Sequence, residues 1–206
     1  MQKYDYQKII NDLYEGKDII ELYKNEKVIK YDKDLFNNSC LSGEEIKLLC
    51  YLGLPKMVGP GLSFLSSEKN KSLLSSKYKN SKKYKKIQDN IYLGEDAWGD
   101  YLCINIKTNE IKLFSHELEI YEEGFERKVN NSMEQFFKSI LRFKLYTKEL
   151  REKVDIKLIL EDKIPLEFIK SLKDDLEKID SESFKDKSSF WAIQINMIEE
   201  MVQNRN

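Results

Sequence analysis

The sequence of 206 residues predicts an α+β fold in which helices pack against a β-sheet. Residues 90–114 alternate between apolar and polar side chains around two turn signals, which is typical of antiparallel strands. Residues 132–141 repeat apolar side chains at helical spacing, and several segments after residue 147 are also helical in character. Since no Pro- or Gly-rich linker separates the strands from the later helices, we expect one α+β domain spanning residues 1–206.

Composition limits the class of protein. Charged residues make up 34% and apolar residues 41% of the chain, which is typical of a soluble globular protein. A formal net charge of −1 provides no global attraction to nucleic acid or to an anionic membrane. The N-terminus lacks the apolar segment of a signal peptide, and no apolar run approaches the roughly 20 residues that span a bilayer. The sequence has no Cys-x-x-Cys pair, and free thiols are typical of a reducing cytoplasm. Together these features predict a cytoplasmic protein that does not bind membranes.

Residues 1–35 are predicted to form an N-terminal helix and a variable segment. The helix has an apolar face and ends at Gly16; the face comprises Tyr6, Ile9, Ile10, Leu13 and Tyr14. Residues 18–32 fit either a second helix, capped by Asp18 and Glu21, or two strands. The strand formers of residues 28–31 favour the second interpretation.

A short helix is predicted at the start of the sheet core, which we place in residues 36–146. Ser42 and Glu45 have the Ser-x-x-Glu spacing of a capping box. The helix is expected to end at Gly53, because the residue before Pro55 avoids helical backbone geometry.

The strands of the core are predicted at residues 62–65, 91–93, 101–106 and 111–113, with a glycine-bearing acidic turn at residues 94–100 and a polar turn at residues 107–110. Period-two alternation places Leu102, Ile104 and Ile106 on one face of the sheet. A helix laid on that face would bury both apolar surfaces.

That helix has the strongest start signal in the chain. Asn131 with Glu134, or Ser132 with Gln135, can form its capping pair. Its apolar stripe, predicted to be core, consists of Met133, Phe136, Phe137, Ile140 and Leu141. Residues 147–206 are expected to add further helices packed on the core, one of them starting at Pro165.

Two charged segments flank the hairpin. Residues 69–86 contain eight lysines and no acid, and we favour a solvated loop there. The alternative is a phosphate-binding stripe with Tyr78 and Tyr84 as stacking platforms, but the run lacks arginine and any groove-forming pattern. Residues 116–128 carry the opposite charge. They form either a solvated face or a binding surface that includes Glu117, Glu119, Glu122 and Glu123.

The sequence contains no recognisable catalytic constellation. Its one histidine, His116, follows a predicted strand and favours a structural role. Glu95, Asp96 and Asp100 offer oxygen ligands for a divalent cation, but their spacing is not that of a calcium loop, and Asp in such a turn usually binds its own backbone. We therefore expect a binding module with no metal, cofactor or obligate small-molecule ligand. An enzyme would need a structured pocket around His116 or Asp96 and Asp100.

Several segments in a fixed order resemble the SUKH superfamily, and within it the fourth family of bacterial immunity proteins. They cover roughly residues 41–202 and comprise Gly53-Leu-Pro55, Leu62-Ser-Phe-Leu65, Ile91-Tyr-Leu-Gly94, Gly99-Asp-Tyr-Leu-Cys-Ile-Asn105, Glu110-Ile-Lys-Leu113, Val129-Asn-Asn-Ser-Met-Glu-Gln-Phe136, Phe190-Trp191 and Ile198-Glu-Glu-Met201. The resemblance implies a twisted, mainly antiparallel sheet packed by helices. The recurring residues map onto Gly94, Gly99, Asp100, Asn131 and Ser132, for which we expect architectural roles.

The resemblance also implies a function without catalysis. Such proteins bind and neutralise a cognate toxin, often a nuclease or a nucleic-acid deaminase, and we expect steric blocking of its active site. The four glutamates named above would face a basic toxin surface. Trp98 is the expected anchor unless it is buried in the core. The alternatives are a regulatory protein-binding module of the same fold and nucleic-acid binding through residues 69–86.

Overall fold

The computed structural model describes residues 27–65, 87–119 and 121–204. Its strands are β1 (Val28–Ile29), β2 (Leu54–Pro55), β3 (Met57–Val58), β4 (Leu62–Phe64), β5 (Asn90–Glu95), β6 (Tyr101–Asn105), β7 (Ile111–Phe114) and β8 (Glu126–Asn130). Its helices are α1 (Gly43–Lys47), α2 (Met133–Lys153), α3 (Ile156–Leu160), α4 (Leu166–Ile179), α5 (Glu182–Lys185) and α6 (Phe190–Gln203). These elements confirm the predicted α+β class. The predicted helix of residues 6–14 and the lysine-rich residues 69–86 lie outside the described ranges.

Strands β3 to β8 form an antiparallel sheet in which each strand pairs with the next along the chain. Strands β1 and β2 form a separate antiparallel pair. The strand interpretation of residues 28–31 is therefore confirmed in part, by β1. Within the described part of the chain, no helix has the length and apolar character needed to cross a bilayer.

The main core lies between one face of the sheet and the long helices. Leu102 and Ile104 belong to the same cluster of buried side chains as the apolar stripe of α2, which confirms that this helix packs on the predicted face. Helices α4 and α6 add Leu172 and Trp191 to that cluster. Ile106 was predicted as the last residue of this strand, but it is only partly buried and lies in the turn, one residue beyond the end of β6.

A second, smaller core covers the opposite face of the sheet. Its five members are at most 2% exposed and come from three strands and the segments beside them: Ile87, Tyr92, Cys103, Phe114 and Phe125. The alternation along β6 thus separates Leu102 from Cys103 as predicted, but both faces of this strand are buried. Burial raises the pKa of the Cys103 thiol well above its ordinary value, so this cysteine is protonated.

Two caps predicted from the sequence are present. Ser42 accepts a hydrogen bond from the Glu45 N–H at 3.2 Å, and Glu45 accepts one from the Ser42 N–H at 2.8 Å, which completes the capping box of α1. The chain then continues through a π-turn to Gly53, whose φ of 84° ends the helical run. At α2, Ser132 caps the N–H of Gln135 at 3.2 Å.

Asn131 has a different role, because it contacts the buried carboxylate of Asp180 after α4. Asp180 accepts hydrogen bonds from Asn131 N–H at 2.8 Å, Asn131 Nδ2 at 2.7 Å and Asn130 Nδ2 at 3.1 Å. Asn130 Oδ1 in turn accepts from Trp191 Nε1 at 2.9 Å. These bonds link β8 to α4 and α6, and the paired partners offset the cost of burying the carboxylate.

Gly94 differs from its predicted position in the turn. It lies inside β5, beside a β-bulge. A Cβ atom at this position would lie 2.0 Å from the Ser63 carbonyl oxygen of β4, so glycine is required by close approach of the neighbouring strand. Gly99 does lie in the turn, and its φ of +88° is favourable only for glycine.

Strand β8 was not predicted, and its first three residues fell within the acidic segment of residues 116–128. Its sequence, Glu-Arg-Lys-Val-Asn, is mostly charged because it is the edge strand of the sheet. Lys112 on β7 pairs across the strands with Glu126 at 2.7 Å, so charged side chains contribute to the pairing.

Candidate functional site

A groove of about 480 Å³ opens where the β5–β6 turn, the segment after β7, β8 and α6 meet. It is lined by Trp98, Asp100, Ser115, His116, Glu117, Leu118, Gly124, Arg127, Ile193 and Met197. We call it the Trp98 groove. It brings together Trp98 and Glu117, which we proposed for an interface, with Asp100, one of the recurring residues of the SUKH resemblance. Outside the lining lie the other recurring residues and the glycine and proline of the first resembling segment: Gly94, Gly99, Asn131, Ser132, Gly53 and Pro55.

The turn that carries Trp98 is held by Asp96. One carboxylate oxygen of Asp96 accepts hydrogen bonds from the N–H of Trp98 at 3.0 Å and from the N–H of Asp100 at 2.9 Å. The Asp96 N–H donates to the Asp100 carbonyl at 3.1 Å, which closes the turn. The Trp98 side chain is 49% exposed, so the tryptophan is displayed at the surface rather than buried in the core.

Behind the turn lies a buried ion network. Arg127, on β8, pairs with Asp96 Oδ2 at 3.3 Å and also with Asp100 Oδ2. Both carboxylates are buried, so the guanidinium is the charge that makes their burial tolerable. The same guanidinium lies 5.9 Å from the centroid of the Trp98 ring, within the range of a cation–π contact. The backbone and the ring of Trp98 are therefore both positioned by this network.

His116 joins the network from the strand-β7 side. Its backbone N–H and its ring Nδ1 lie 3.1 and 3.0 Å from the same oxygen of Asp100. An ionised carboxylate only accepts hydrogen bonds, so Nδ1 is the protonated nitrogen. His116 Nε2 lies 3.7 Å from a carboxylate oxygen of Glu117.

The groove at His116 is the pocket that an enzyme would need, and the Asp100–His116 pair resembles the base and orienting carboxylate of a triad. Ser115 is the one hydroxyl side chain among the described lining residues. The hydroxyl of Ser115 is occupied as a turn acceptor, with the N–H groups of Glu117 and Leu118 at 3.3 and 3.2 Å.

The acidic side chains considered for a cation are engaged elsewhere. Asp96 and Asp100 bind Arg127 and backbone N–H groups. Glu95 accepts a hydrogen bond from the Tyr92 hydroxyl at 2.5 Å. No group of three His, Cys, Asp or Glu side chains in residues 27–65, 87–119 and 121–204 has metal-binding geometry.

The four glutamates proposed for the interface are all exposed in the loop between β7 and β8. Glu117 lines the groove, whereas Glu119, Glu122 and Glu123 follow it along the same loop and are not part of the lining. The loop therefore carries four exposed carboxylates, one of which lines the groove.

Six lining residues were not predicted from the sequence: Ser115, Leu118, Gly124, Arg127, Ile193 and Met197. The available signal was the double apolar stripe of α6. Trp191, Ile195 and Val202 are buried, whereas a second stripe at i, i+4 and i+8 is more exposed and consists of Ile193, Met197 and Met201. A helix that is apolar on two sides indicates a second contact surface.

Comparison of the chain with protein-family models, with curated proteins and with solved structures finds no match. The resemblance to the SUKH superfamily therefore stays a prediction. Of its recurring residues, Asp100 belongs to the network beneath Trp98, and Ser132 caps α2.

Proposed function

We propose that this protein is an immunity protein that binds a cognate toxin domain and neutralises it by steric blocking. The observation that carries the proposal is the half-exposed Trp98, held at a groove by a buried ion network. The order of SUKH-like segments supports the toxin as the class of partner.

Trp98 has the properties of an interface anchor. Tryptophan is enriched among residues that dominate binding energy, especially when the ring enters a desolvated contact. The side chain is exposed before binding and its turn is fixed by the Asp96 hydrogen bonds. A pre-positioned anchor loses little conformational freedom on association, which favours affinity.

The acidic loop supports a basic partner. Four exposed glutamates lie in the loop between β7 and β8, one of them in the groove lining, and opposite charge on a partner accelerates encounter. A nuclease or a nucleic-acid deaminase needs basic surface to hold phosphates. A protein that covers such a surface excludes the substrate, so neutralisation follows from occupancy alone.

Co-expression tests the proposal. The product of the gene immediately upstream would be expressed in bacteria with the wild-type chain or with a variant. We expect the product to arrest growth alone, the wild type to restore growth, and Trp98→Ala to lose most of the protection. Tyr51→Ala, another exposed aromatic but outside the groove lining, serves as the matched control and should protect.

Two outcomes contradict the proposal. A product that is neither toxic nor bound removes the toxin as partner. A product that binds this chain but is harmless supports instead a regulatory module of the same fold.

A further inference from the structure

The walls of the Trp98 groove indicate what enters it. Apolar surface comes from Leu118 on the acidic loop and from Ile193 and Met197 on α6. At Gly124 the wall is bare backbone, and an added Cβ would contact Leu118 at 3.7 Å. This combination accommodates a long, flexible stem beside an aromatic ring, and methionine adapts its shape to such a ligand.

The charges around the groove are unequal. Among the described residues at the groove, three carboxylates, those of Asp96, Asp100 and Glu117, accompany one guanidinium, that of Arg127, so carboxylates are in excess. The described lining contains no lysine. Asp96 and Asp100 are held by Arg127, but the Glu117 carboxylate projects into solvent at 79% exposure and is accessible to a partner.

We infer that the groove receives an arginine side chain of the partner protein, an inference that rests on the proposed function and specifies the partner's chemistry. The aliphatic stem would lie against Leu118, Ile193 and Met197. The guanidinium would reach the Glu117 carboxylate, to which it offers two parallel N–H groups, and would contact the Trp98 ring. Arginine fits better than lysine because the planar guanidinium both stacks on an aromatic ring and binds a carboxylate in bidentate fashion.

The exposed apolar stripe of α6 continues the contact surface beyond the groove. Met197 lines the groove, and Met201 lies one helical turn further on and is 50% exposed. A partner segment that inserts its arginine beside Trp98 can therefore cover Met201 with the residues that follow.

The test uses the full chain and small-molecule probes, without any toxin. N-acetyl-arginine methylamide would be titrated at low salt while the indole N–H signals of the two tryptophans are followed by NMR. We expect a saturable shift of the Trp98 signal with a dissociation constant on the order of millimolar. The Trp191 indole, buried and bonded to Asn130, is the internal control and should not move.

Two comparisons give the test its specificity. The citrulline analogue, neutral and nearly isosteric, should bind at least about tenfold more weakly, and Glu117→Gln should weaken arginine binding similarly. Glu152→Gln, an exposed carboxylate on α2 outside the groove lining, should bind as the wild type does. No saturable shift, equal affinity for citrulline, or an unchanged Glu117→Gln variant would each overturn the inference. Equal affinity for the lysine analogue would overturn the assignment to arginine.

The result is separable from the proposed function. If the wild type neutralises a toxin but the arginine probe does not bind, this inference fails and the immunity proposal stands. If the probe binds as expected but no toxin partner exists, the immunity proposal fails and the cation-accepting groove stands.

Discussion

The guanidinium of Arg127 lies 5.9 Å from the centroid of the Trp98 ring while it pairs with the two carboxylates beneath that ring. The exposed anchor and the buried ions thus form one unit. The stability of the network and the position of the Trp98 ring therefore both depend on Arg127. Substitution of Arg127 can test this dependence.

Replacing Arg127 by Met should leave the Asp96 and Asp100 carboxylates buried and without their cation. We expect the free energy of unfolding, measured by urea denaturation at neutral pH, to fall by about 3–5 kcal/mol. Arg151→Met, at an exposed position on α2, is the control and should change it by no more than about 0.5 kcal/mol. A loss below about 1 kcal/mol at Arg127 would show that the network is not needed for stability.

Replacement by alanine should be strongly destabilising at Gly94 but not at Gly43. At Gly94 the new Cβ would lie 2.0 Å from the Ser63 carbonyl oxygen, so β4 must shift, and we expect a loss of more than about 3 kcal/mol or failure to fold. At Gly43 nothing lies within 4 Å of the added Cβ, and stability should stay within about 1 kcal/mol of the wild type. Similar melting temperatures for the two variants would contradict the close approach of β4 and β5.

Asn130 should be a costly residue to truncate. Asn130→Ala removes the acceptor of the buried Trp191 Nε1–H and a donor to Asp180. Leaving these groups unpaired should lower the free energy of unfolding by about 2–3 kcal/mol. Asn196→Ala, exposed on α6, should be neutral or slightly stabilising, because alanine favours the helix. Equal effects at the two asparagines would mean that the buried network contributes little.

Glu110 makes stability depend on pH. Burial alone would raise the pKa of its carboxyl, but hydrogen bonds from Lys112 and Thr108 outweigh burial and hold the pKa below its ordinary value of 4.5. The folded state therefore binds this proton more weakly than the unfolded chain does. The resulting stability is complete above about pH 4.5 and is lost as pH falls through the lowered pKa.

Urea denaturation between pH 3 and pH 7 checks this sign. Glu110→Gln should lose stability at neutral pH and show a shallower decline below pH 4.5 than the wild type. Glu44→Gln, at an exposed carboxylate, should keep the wild-type slope. A Glu110→Gln curve parallel to the wild-type curve would contradict the role of the Lys112 contacts.

Local patterns were enough to predict much of the fold. The Ser42 capping box, the alternation along β6 and the apolar stripe of α2 each depend on residues a few positions apart. Strand β8 was missed because an edge strand exposes charged side chains and so has no apolar alternation. The role of Gly94 depends on Ser63, which lies far away in sequence, and no local pattern encodes that contact.

The candidate site was predictable only in its most exposed parts. Trp98 and Glu117 were proposed because tryptophan and glutamate in a turn and a charged loop are conspicuous in a sequence. Arg127 and Met197 reach the groove from β8 and α6 through the tertiary fold. Their chemistry, a cation beneath the ring and an adaptable apolar wall, becomes meaningful only when those elements meet.

The affinity of Trp98→Ala for the product of the gene immediately upstream, the proposed toxin partner, tests the central claim most directly. With folding verified by circular dichroism, calorimetry should show a dissociation constant at least about 30-fold above that of the wild type, which corresponds to about 2 kcal/mol. Tyr51→Ala should bind as the wild type does. A Trp98→Ala dissociation constant within about twofold of the wild type, at the same salt concentration, would contradict the claim that the Trp98 groove is the toxin-binding surface.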